Sequence, residues 1–466
     1  PSLFGSDPGA TPPISNTGAL QLTTQDPVKR VWGYSIGMET LDRELYELPA
    51  VLPALKILPV KPARLQSGWS RTEKVAGVYD FTWLDDCVDK LVAMGIEPWI
   101  SVGFGNPLYI PEATDYGAVG WVPLYSDTAM KAWLNYVTAV ATRYKGKVVY
   151  FEIWNEPWNV QFWRNGTPSP QDYAAFAVPT MKAMRAVYPG AKFVTGSVTL
   201  SSASMDFAKG FLNAGVADHA DVLCFHQYAR VPDDYYVTKV NKFRAMLAAY
   251  PRPMTLWQGE GGAPSKADTT GVLSTYEWDE KVQAKWLMRK QVAEAYAELG
   301  SSSYFHLIDL AAIGKQGQIM GDANYKGLLN LDATPKLAFG VFRYMVNLLQ
   351  GKAPLAATKG DLVLTSSINV SFYNFTATKG TEITNMIAYW NKGEFMTEGK
   401  TALGNTSMTI KVGNVSMLSD FVLFDPMTLS VYKFNATTSS FELPLKDYPL
   451  FVVKKTTLQS FGTIVS

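Results

Sequence analysis

Apolar residues follow two different patterns along the chain. Between about residues 28 and 350, short apolar runs typical of β-strands alternate with longer segments in which apolar residues recur at helical spacing. This alternation is typical of βα units, in which neighbouring strands run parallel and a helix joins each pair. The strands predicted in this way are 31–36, 54–60, 97–102, 148–154, 192–197, 221–227, 254–258 and 303–308.

The segments between these strands carry the helical pattern, most clearly over 81–94, 128–144, 170–187, 239–250 and 279–299. Eight parallel strands with crossover helices over about 320 residues match a (β/α)8 TIM barrel. We therefore predict an α/β fold in which residues 28–350 form the barrel.

The pattern changes after residue 349. Helical spacing gives way to short alternating runs rich in Val, Thr, Phe and Tyr, such as TNMIAYW, SMTIKV, FVLFD and LSVYKF, separated by Gly, Asn and Asp. This predicts that residues 351–466 form an accessory domain, a C-terminal antiparallel β-sandwich. Residues 1–27 are rich in Pro, Gly and Thr and are predicted to be an extended N-terminal arm that lies on one of the two domains.

Two acidic residues close predicted barrel strands, at the end of the barrel where active sites lie. Glu156 ends a buried strand in VVYFEIWNEPWN, and Pro157 stops that strand directly after the carboxylate. Glu260 ends another strand in MTLWQGEGGAP, where glycines let the backbone and a ligand approach closely. These are strands four and seven, which face each other across the mouth of an eight-stranded barrel. Either glutamate alone could be a salt-bridged residue of the barrel rim.

Two facing carboxyl groups are what the retaining route of glycosidic bond hydrolysis requires. One is protonated to release the leaving group, and the other is ionised to attack the sugar, at a separation of about 5 to 5.5 Å. The pair Glu156 and Glu260 is therefore the candidate catalytic pair.

Several segments extend this pattern into a family resemblance, which covers about residues 30 to 345. The chain resembles clan A of the glycoside hydrolases, a group of TIM-barrel enzymes with an Asn-Glu pair closing strand four and a Glu closing strand seven. Within the clan it is most similar to family 39, which contains β-xylosidases and α-iduronidases. The strand-seven segment QGEGG departs from the usual Thr-Glu-Tyr/Phe pattern. The segments that carry the resemblance are residues 77–81 (GVYDF), 94–100 (MGIEPWI), 151–157 (FEIWNEP) and 334–339 (TPKLAF).

The resemblance implies roles for individual residues. Glu156 would be the general acid/base and Glu260 the catalytic nucleophile. Asn155 would bind the 2-hydroxyl of the sugar. Arg64 would keep Glu260 ionised through charge pairing. Tyr228 would donate a hydrogen bond to the nucleophile.

Further candidate substrate-binding residues come from the strand ends and their loops. His226 lies two residues before Tyr228, on the same side of its strand. The others are Asn106, Trp121 and Trp158, of which the two tryptophans suit stacking on a sugar face. For each of these side chains, packing in the core is the alternative to substrate binding.

Charge and composition narrow the class of partner. The chain has 42 Lys and Arg against 41 Asp and Glu, so it lacks the basic surface that nucleic acids require. The sequence contains no apolar run of about 18 residues, the length that a membrane-spanning helix needs, so no membrane insertion is predicted. Neither a metal-ligand cluster nor a phosphate-binding loop is evident, so we expect no metal and no cofactor. The expected partner is an oligosaccharide or polysaccharide substrate, and the oligomeric state stays open.

Location and thiol chemistry are also open to prediction. Six Asn-x-Ser/Thr sequons favour a secreted or exported protein, although a Ser/Thr/Asn-rich β-domain generates such sequons by chance: Asn165, Asn369, Asn374, Asn405, Asn414 and Asn435. The two cysteines, Cys87 and Cys224, lie in stretches typical of a core and are expected to be buried free thiols.

The favoured function is a retaining hydrolase of O-glycosidic bonds with β-xylosidase-like exo action. An endo-acting hydrolase of an extracellular polysaccharide is the first alternative. A non-catalytic carbohydrate-binding barrel is another, although a pure binder has no need of two acidic groups flanking one bond. Transglycosylation would use the same covalent intermediate.

Overall fold

A computed structural model describes residues 11–267, 270–311, 323–379, 382–393, 395 and 406–466. Strand β1 (Ile14–Leu22) lies outside the barrel. The next eight strands pair in chain order and close on themselves, which confirms the predicted TIM barrel. They are β2 (Tyr34–Gly37), β3 (Pro62–Gln66), β4 (Glu97–Val102), β5 (Tyr150–Ile153), β6 (Lys192–Thr195), β7 (Val222–His226), β8 (Thr255–Glu260) and β9 (Ser301–Tyr304).

Helices connect these strands and surround the barrel. They are α1 (Leu48–Ile57), α2 (Trp69–Thr72), α3 (Thr82–Ala93), α4 (Asp127–Tyr144), α5 (Pro170–Val187), α6 (Ser202–Asn213), α7 (Tyr236–Leu247), α8 (Glu280–Tyr296) and α9 (Leu337–Leu349). Four of them begin after a side chain that accepts a hydrogen bond from a backbone N–H of the first turn. These N-caps, with distances of 2.8 to 3.2 Å, are Ser126, Ser169, Ser201 and Asp279.

The second barrel strand was predicted at the wrong place. Most of the apolar run 54–60 belongs to helix α1, and the strand is the following segment, β3. The physical reason is the composition of β3, PARLQ, which begins with proline and carries two long polar side chains. Arg64 and Gln66 are buried at 0% and 6% exposure, because their partners lie at the mouth of the barrel.

The C-terminal region consists of antiparallel strands, as predicted. Eight strands form one sheet in the order β10-β12-β13-β18-β15-β16-β1-β19, and three form a second sheet in the order β11-β14-β17. A short helix, α10 (Lys455–Gln459), precedes the last strand. The strands are β10 (Ala353–Pro354), β11 (Leu364–Ser366), β12 (Ser371–Lys379), β13 (Glu382–Trp390), β14 (Ser407–Val412), β15 (Phe421–Asp425), β16 (Ser430–Phe434), β17 (Ser440–Pro444), β18 (Leu450–Lys454) and β19 (Gly462–Val465).

Strand β1 places part of the predicted N-terminal arm inside the larger sheet. It pairs antiparallel with β16 on one side and with β19 on the other. The first ten residues of that arm lie outside the described residues. The N-terminal segment and the last strand of the chain are therefore neighbours in one sheet.

Some surface predictions can be placed on this fold. Asn374 is buried, and its Nδ2 donates to the backbone carbonyls of Ala356 and Lys359. The side chain of this sequon is therefore not accessible to glycosylation in the folded chain. The sequon at Asn405 lies outside the described residues. In the described part of the chain, every helix is too short or too polar to cross a membrane.

Helix α8 joins the barrel to the β-domain. Every residue from Val282 to Glu294 is buried, because the barrel covers one side of the helix and strands β10 and β12 contact it as well. The Arg289 guanidinium donates to both carboxylate oxygens of Asp233, at 2.7 and 3.2 Å, and to the carbonyl of Asp447 at 3.4 Å. Trp390 of β13 also donates to Asp233. The hydrogen bonds of this buried ion pair with Trp390 and Asp447 thus tie the barrel to the β-domain.

We predict that Arg289→Met lowers the free energy of unfolding by about 3 to 5 kcal/mol, because it leaves the Asp233 carboxylate buried without its cation. Urea denaturation followed by tryptophan fluorescence measures the change.

Arg143→Met is the matched control, since Arg143 pairs with Asp85 on the surface, where its side chain is 49% exposed. This change should cost less than about 1 kcal/mol. Equal losses for the two variants would contradict the role given to the buried pair.

Candidate active site

The C-terminal ends of four barrel strands bring the predicted catalytic residues together. Glu260 is the last residue of β8 and His226 the last residue of β7, while Glu156 follows the end of β5 by three residues. Arg64 projects from β3. Parallel strands of a closed barrel all end at the same rim, so residues far apart in the sequence converge there.

Glu156, Glu260 and His226 form a compact group. One carboxylate oxygen of each glutamate and a ring nitrogen of His226 lie within 4.8 Å of one another. His226 Nδ1 is 2.9 Å from Glu156 Oε1 and 3.6 Å from Glu260 Oε2. The two glutamate side chains are 11% and 13% exposed, whereas His226 is 1% exposed. The two carboxylates are therefore the groups of this trio that a substrate can reach.

Arg64 is the cation of the site and is fully buried. Its Nη1 donates to Glu260 Oε1 and to Glu39 Oε1, each at 2.7 Å. Its Nε and Nη2 donate to Glu152 Oε2 at 2.9 and 2.7 Å. One guanidinium thus binds three carboxylates, a geometry that its planar fork of donors permits and that a lysine could not reproduce.

The surroundings of Glu260 favour its charged form. Burial alone would raise the pKa of Glu260, but the positive charges of His226 and Arg64 outweigh it, and the pKa is lowered. Tyr228 Oη contributes by donating to Glu260 Oε2 at 2.9 Å. Burial disfavours the charged form of His226, yet Glu260 and the hydrogen bond with Glu156 raise its pKa. Glu260 is therefore held as a carboxylate.

Asn155 lies between these groups with one side of its amide fixed. Its Oδ1 accepts from Arg64 Nη2 at 2.9 Å, and its backbone carbonyl accepts from Ser197. The contact with Arg64 identifies the oxygen end of the side chain and leaves the Nδ2 hydrogens as donors for a ligand.

Two residues of the site were missed by the sequence analysis. Glu39 follows the first barrel strand by two residues and shares Arg64 with Glu260; burial raises its pKa to about 7. Its signal was the same as that of Glu156 and Glu260, an acidic residue just past a strand end. Asn159 donates from Nδ2 to Glu156 Oε2 at 2.9 Å, and its signal was its place in the motif NEPWN.

The loop residues predicted to bind sugar have other described contacts. Asn106 is buried, donates to the carbonyls of Glu73 and Trp69, and accepts from the N–H of Leu108, so its amide fixes a loop. Trp121 Nε1 donates to Asp115 at 2.6 Å. Substrate binding by Asn106 and Trp121 stays a prediction.

Trp158 and His306 differ in how their ring nitrogens are used. Trp158 is half-buried, and its Nε1 has no hydrogen-bond partner among the described residues. His306 has both ring nitrogens bonded to the backbone: Nδ1 accepts from the N–H of Ile308, and Nε2 lies 2.8 Å from the carbonyl of Glu39. Burial lowers the pKa of His306 to about 4, so it is a neutral structural residue.

Comparison with known proteins adds to this geometry. Residues 67–250 match the sequence profile described as "Glycosyl hydrolases family 39". Over these residues the chain is similar to the family 39 glycoside hydrolases. The matched residues include Asn155, Glu156, His226 and Tyr228, whereas Arg64 and Glu260 lie outside them. The profile therefore says nothing of Arg64 and Glu260, and it is the structure that brings these two residues into the site.

A curated relative and two solved structures are also similar to this chain. A beta-xylosidase of Geobacillus stearothermophilus is 29% identical over 119 residues, which is 24% of this chain and 23% of that enzyme. A family 39 glycoside hydrolase from Bacteroides cellulosilyticus WH2 has a TM-score of 0.63 at 16% identity, over 91% of this chain and 81% of that chain. A glucosidase from Croceicoccus marinus has a TM-score of 0.57 at 14% identity, over 95% of this chain and 97% of that chain. At these identities, the two solved structures show that the fold is shared.

We predict that Tyr228→Phe raises the pKa of Glu260, because the hydroxyl hydrogen bond stabilises the charged form that the variant can no longer support. Carbon-13 NMR of protein labelled at the glutamate carboxyl carbons follows this titration, and Glu260→Gln assigns the signal.

Tyr173→Phe is the control, since the Tyr173 hydroxyl is buried nearby but bonds the backbone of Ile153 and Gly196. An unchanged titration of Glu260 in Tyr228→Phe, or an equal shift in both variants, would contradict the assignment.

Proposed function

We propose that this protein is a retaining glycoside hydrolase, with Glu156 as general acid/base and Glu260 as nucleophile. The observation that carries the proposal is the close approach of the two carboxylates, since one oxygen of Glu156 lies within 4.8 Å of one oxygen of Glu260. Inverting enzymes need about 6.5 to 9.5 Å between their carboxyl groups to admit a water molecule. The spacing therefore favours direct attack by one carboxylate on the sugar.

The surroundings of the two glutamates support the proposed division into a nucleophile and a general acid/base. Arg64 and Tyr228 bind Glu260 and hold it ionised, which is what a nucleophile requires. Glu156 lacks a bond to Arg64 among the described contacts and is held instead by His226 and Asn159. Glu156 is thus placed to protonate the leaving oxygen while Glu260 attacks the anomeric carbon.

The second half of the reaction reverses the proton transfer. After the leaving group departs, Glu156 is a carboxylate and removes a proton from the incoming water, which attacks the glycosyl-enzyme. The Nδ2 group of Asn155 is the donor available to the 2-hydroxyl of the sugar, a contact that strengthens in the transition state. Interception by a second sugar instead of water would give transglycosylation.

The substrate class we favour is a short β-glycoside, cleaved from the chain end as by a β-xylosidase. The named activity of the Geobacillus relative supports this substrate class. An endo-acting hydrolase of an extracellular polysaccharide is the alternative. Product analysis separates the two, because exo action on xylooligosaccharides releases one sugar at a time and endo action yields mixed lengths from the outset.

We expect Glu260→Gln to lower kcat for every glycoside by at least about 10³-fold, because no covalent intermediate can form. Hydrolysis of nitrophenyl glycosides measures the loss.

Glu73→Gln is the control, since it neutralises a buried carboxylate that bonds Trp69 and Tyr109 and has no described bond to Glu156 or Glu260. If Glu260→Gln retained wild-type activity while Glu73→Gln lost it, the proposed nucleophile would be wrong.

For Glu156→Ala, we expect an uneven loss. Sugars with a poor leaving group should react about 10² to 10⁴-fold more slowly, while dinitrophenyl glycosides still form the glycosyl-enzyme because their leaving group needs little protonation. Azide, which needs no deprotonation, should speed turnover and give a glycosyl azide of unchanged anomeric configuration. Proton NMR reads the configuration.

The same experiment on Glu260→Ala completes the test. There, azide replaces the missing nucleophile and attacks from its face, so the azide product should be inverted. A retained product from Glu260→Ala, or an inverted one from Glu156→Ala, would mean that the two roles are exchanged.

A further inference from the structure

Below the two catalytic glutamates lies a second group of side chains with unused ligand atoms. Glu152, Cys224 and His226 each place one such atom within 4.8 Å of the other two. Glu152 comes from β5, while Cys224 and His226 are two residues apart on β7 and therefore face the same side of the strand. The three side chains fill one level of the barrel interior.

The atoms that face one another are the ones not used elsewhere. Arg64 occupies Glu152 Oε2, and Glu152 Oε1 has no partner at ordinary hydrogen-bond distance, although the Ser101 hydroxyl and the Cys224 thiol lie close to this carboxyl group. His226 uses Nδ1 toward Glu156, and its Nε2 also lacks a partner among the described residues. Glu152 Oε1 and His226 Nε2 are 4.0 Å apart, too far for a hydrogen bond. Both residues are at least 98% buried.

Unpaired polar atoms in a barrel core are costly, and their convergence needs a physical explanation. A carboxylate oxygen, an imidazole nitrogen and a thiol sulfur form a ligand set suited to a borderline or soft cation such as Zn²⁺ or Cd²⁺. Zinc binds these atoms at about 2.0 to 2.3 Å, so ligand atoms about 3.5 to 4 Å apart can surround one ion.

The local charge and packing also favour a cation. Three carboxylates, Glu39, Glu152 and Glu260, bind the single guanidinium of Arg64, and a fourth, Glu156, lies against His226. Across the group, β8 carries Gly259, where a Cβ would stand 2.4 Å from Cys224 Sγ and 2.9 Å from His226 Nε2. Only glycine at this position leaves space beside both atoms.

We propose that Glu152, Cys224 and His226 form a buried binding site for one thiophilic divalent cation, with Zn²⁺ and Cd²⁺ as the fitting ions. On binding, the Cys224 thiol loses its proton to solvent and binds as thiolate, since a coordinating thiol is deprotonated. His226 loses its Nε2 proton to solvent, binds the ion through that nitrogen and keeps its Nδ1 hydrogen toward Glu156. Ions enter through the substrate cleft, past the partly exposed glutamates, so binding is slow.

Binding is tested directly on the full chain, purified without a histidine tag and stripped of metal. The chain has three His and two Cys, so background sites are few. Equilibrium dialysis with Cd²⁺ should give one tightly bound ion per chain, and Co²⁺ should give a thiolate-to-metal charge-transfer absorption band. Absence of a tightly bound ion in the wild-type protein overturns the proposal without any variant.

The two cysteines provide a matched pair of variants. Cys224→Ser should lose the bound ion and the charge-transfer band, whereas Cys87→Ser should keep both, since Cys87 is equally buried but lies in helix α3. Thermal melting confirms that both variants are folded. Binding that survives in Cys224→Ser, or a Co²⁺ complex without a thiolate band, would place the ion at Glu156 and Glu260 instead and would overturn the site.

A kinetic consequence rests on the proposed function. A divalent cation beneath the anomeric carbon opposes the positive charge of the transition state, so incubation with Zn²⁺ or Cd²⁺ should lower kcat about tenfold or more, reversibly with EDTA. Cys224→Ser should resist this inhibition. Binding without inhibition would keep the site and contradict its coupling to catalysis, while an inactive metal-free wild type would contradict the proposed function alone.

Discussion

The guanidinium of Arg64 is the permanent positive charge that lets several carboxylates share the mouth of the barrel. Each buried ion loses several kcal/mol of hydration, which only close opposite charge and complete hydrogen bonding can offset. Arg64 meets that condition with five short hydrogen bonds to four residues, at 2.7 to 2.9 Å. Because arginine stays protonated at any physiological pH, its contribution to this balance does not change with pH.

The same interaction explains why the site has two kinds of carboxylate. Glu260 lies in direct contact with Arg64 and is held ionised, whereas Glu156 sits on the far side of His226. His226 connects the two halves, because one ring nitrogen faces both Glu156 and Glu260 and the other faces Glu152. A single imidazole therefore couples the reactive surface of the barrel to the charged layer beneath it.

The sequence predicted those site residues that a local sequence pattern marks. Glu156 and Glu260 end apolar runs, and a carboxylate that closes a buried strand is visible without a structure. Strand β3 was missed because its interior side chains are polar, so that it lacks the apolar pattern on which strand prediction depends. Glu39 also follows a strand end, but its role comes from sharing Arg64, a contact between residues 25 positions apart. Hydrogen-bond partners of this kind depend on tertiary structure, which periodicity does not encode.

Strand β1 has a consequence for how the chain acquires its structure during synthesis. Ala19 pairs with Val465, so the barrel is in effect inserted into the β-domain, and the first strand leaves the ribosome long before its partner. At 5 to 20 residues per second, that interval is roughly 20 to 90 s. During this time the barrel can close, while β1 waits with its backbone groups hydrated. Closure of the large sheet therefore waits until β19 has been synthesised, long after the barrel strands are complete.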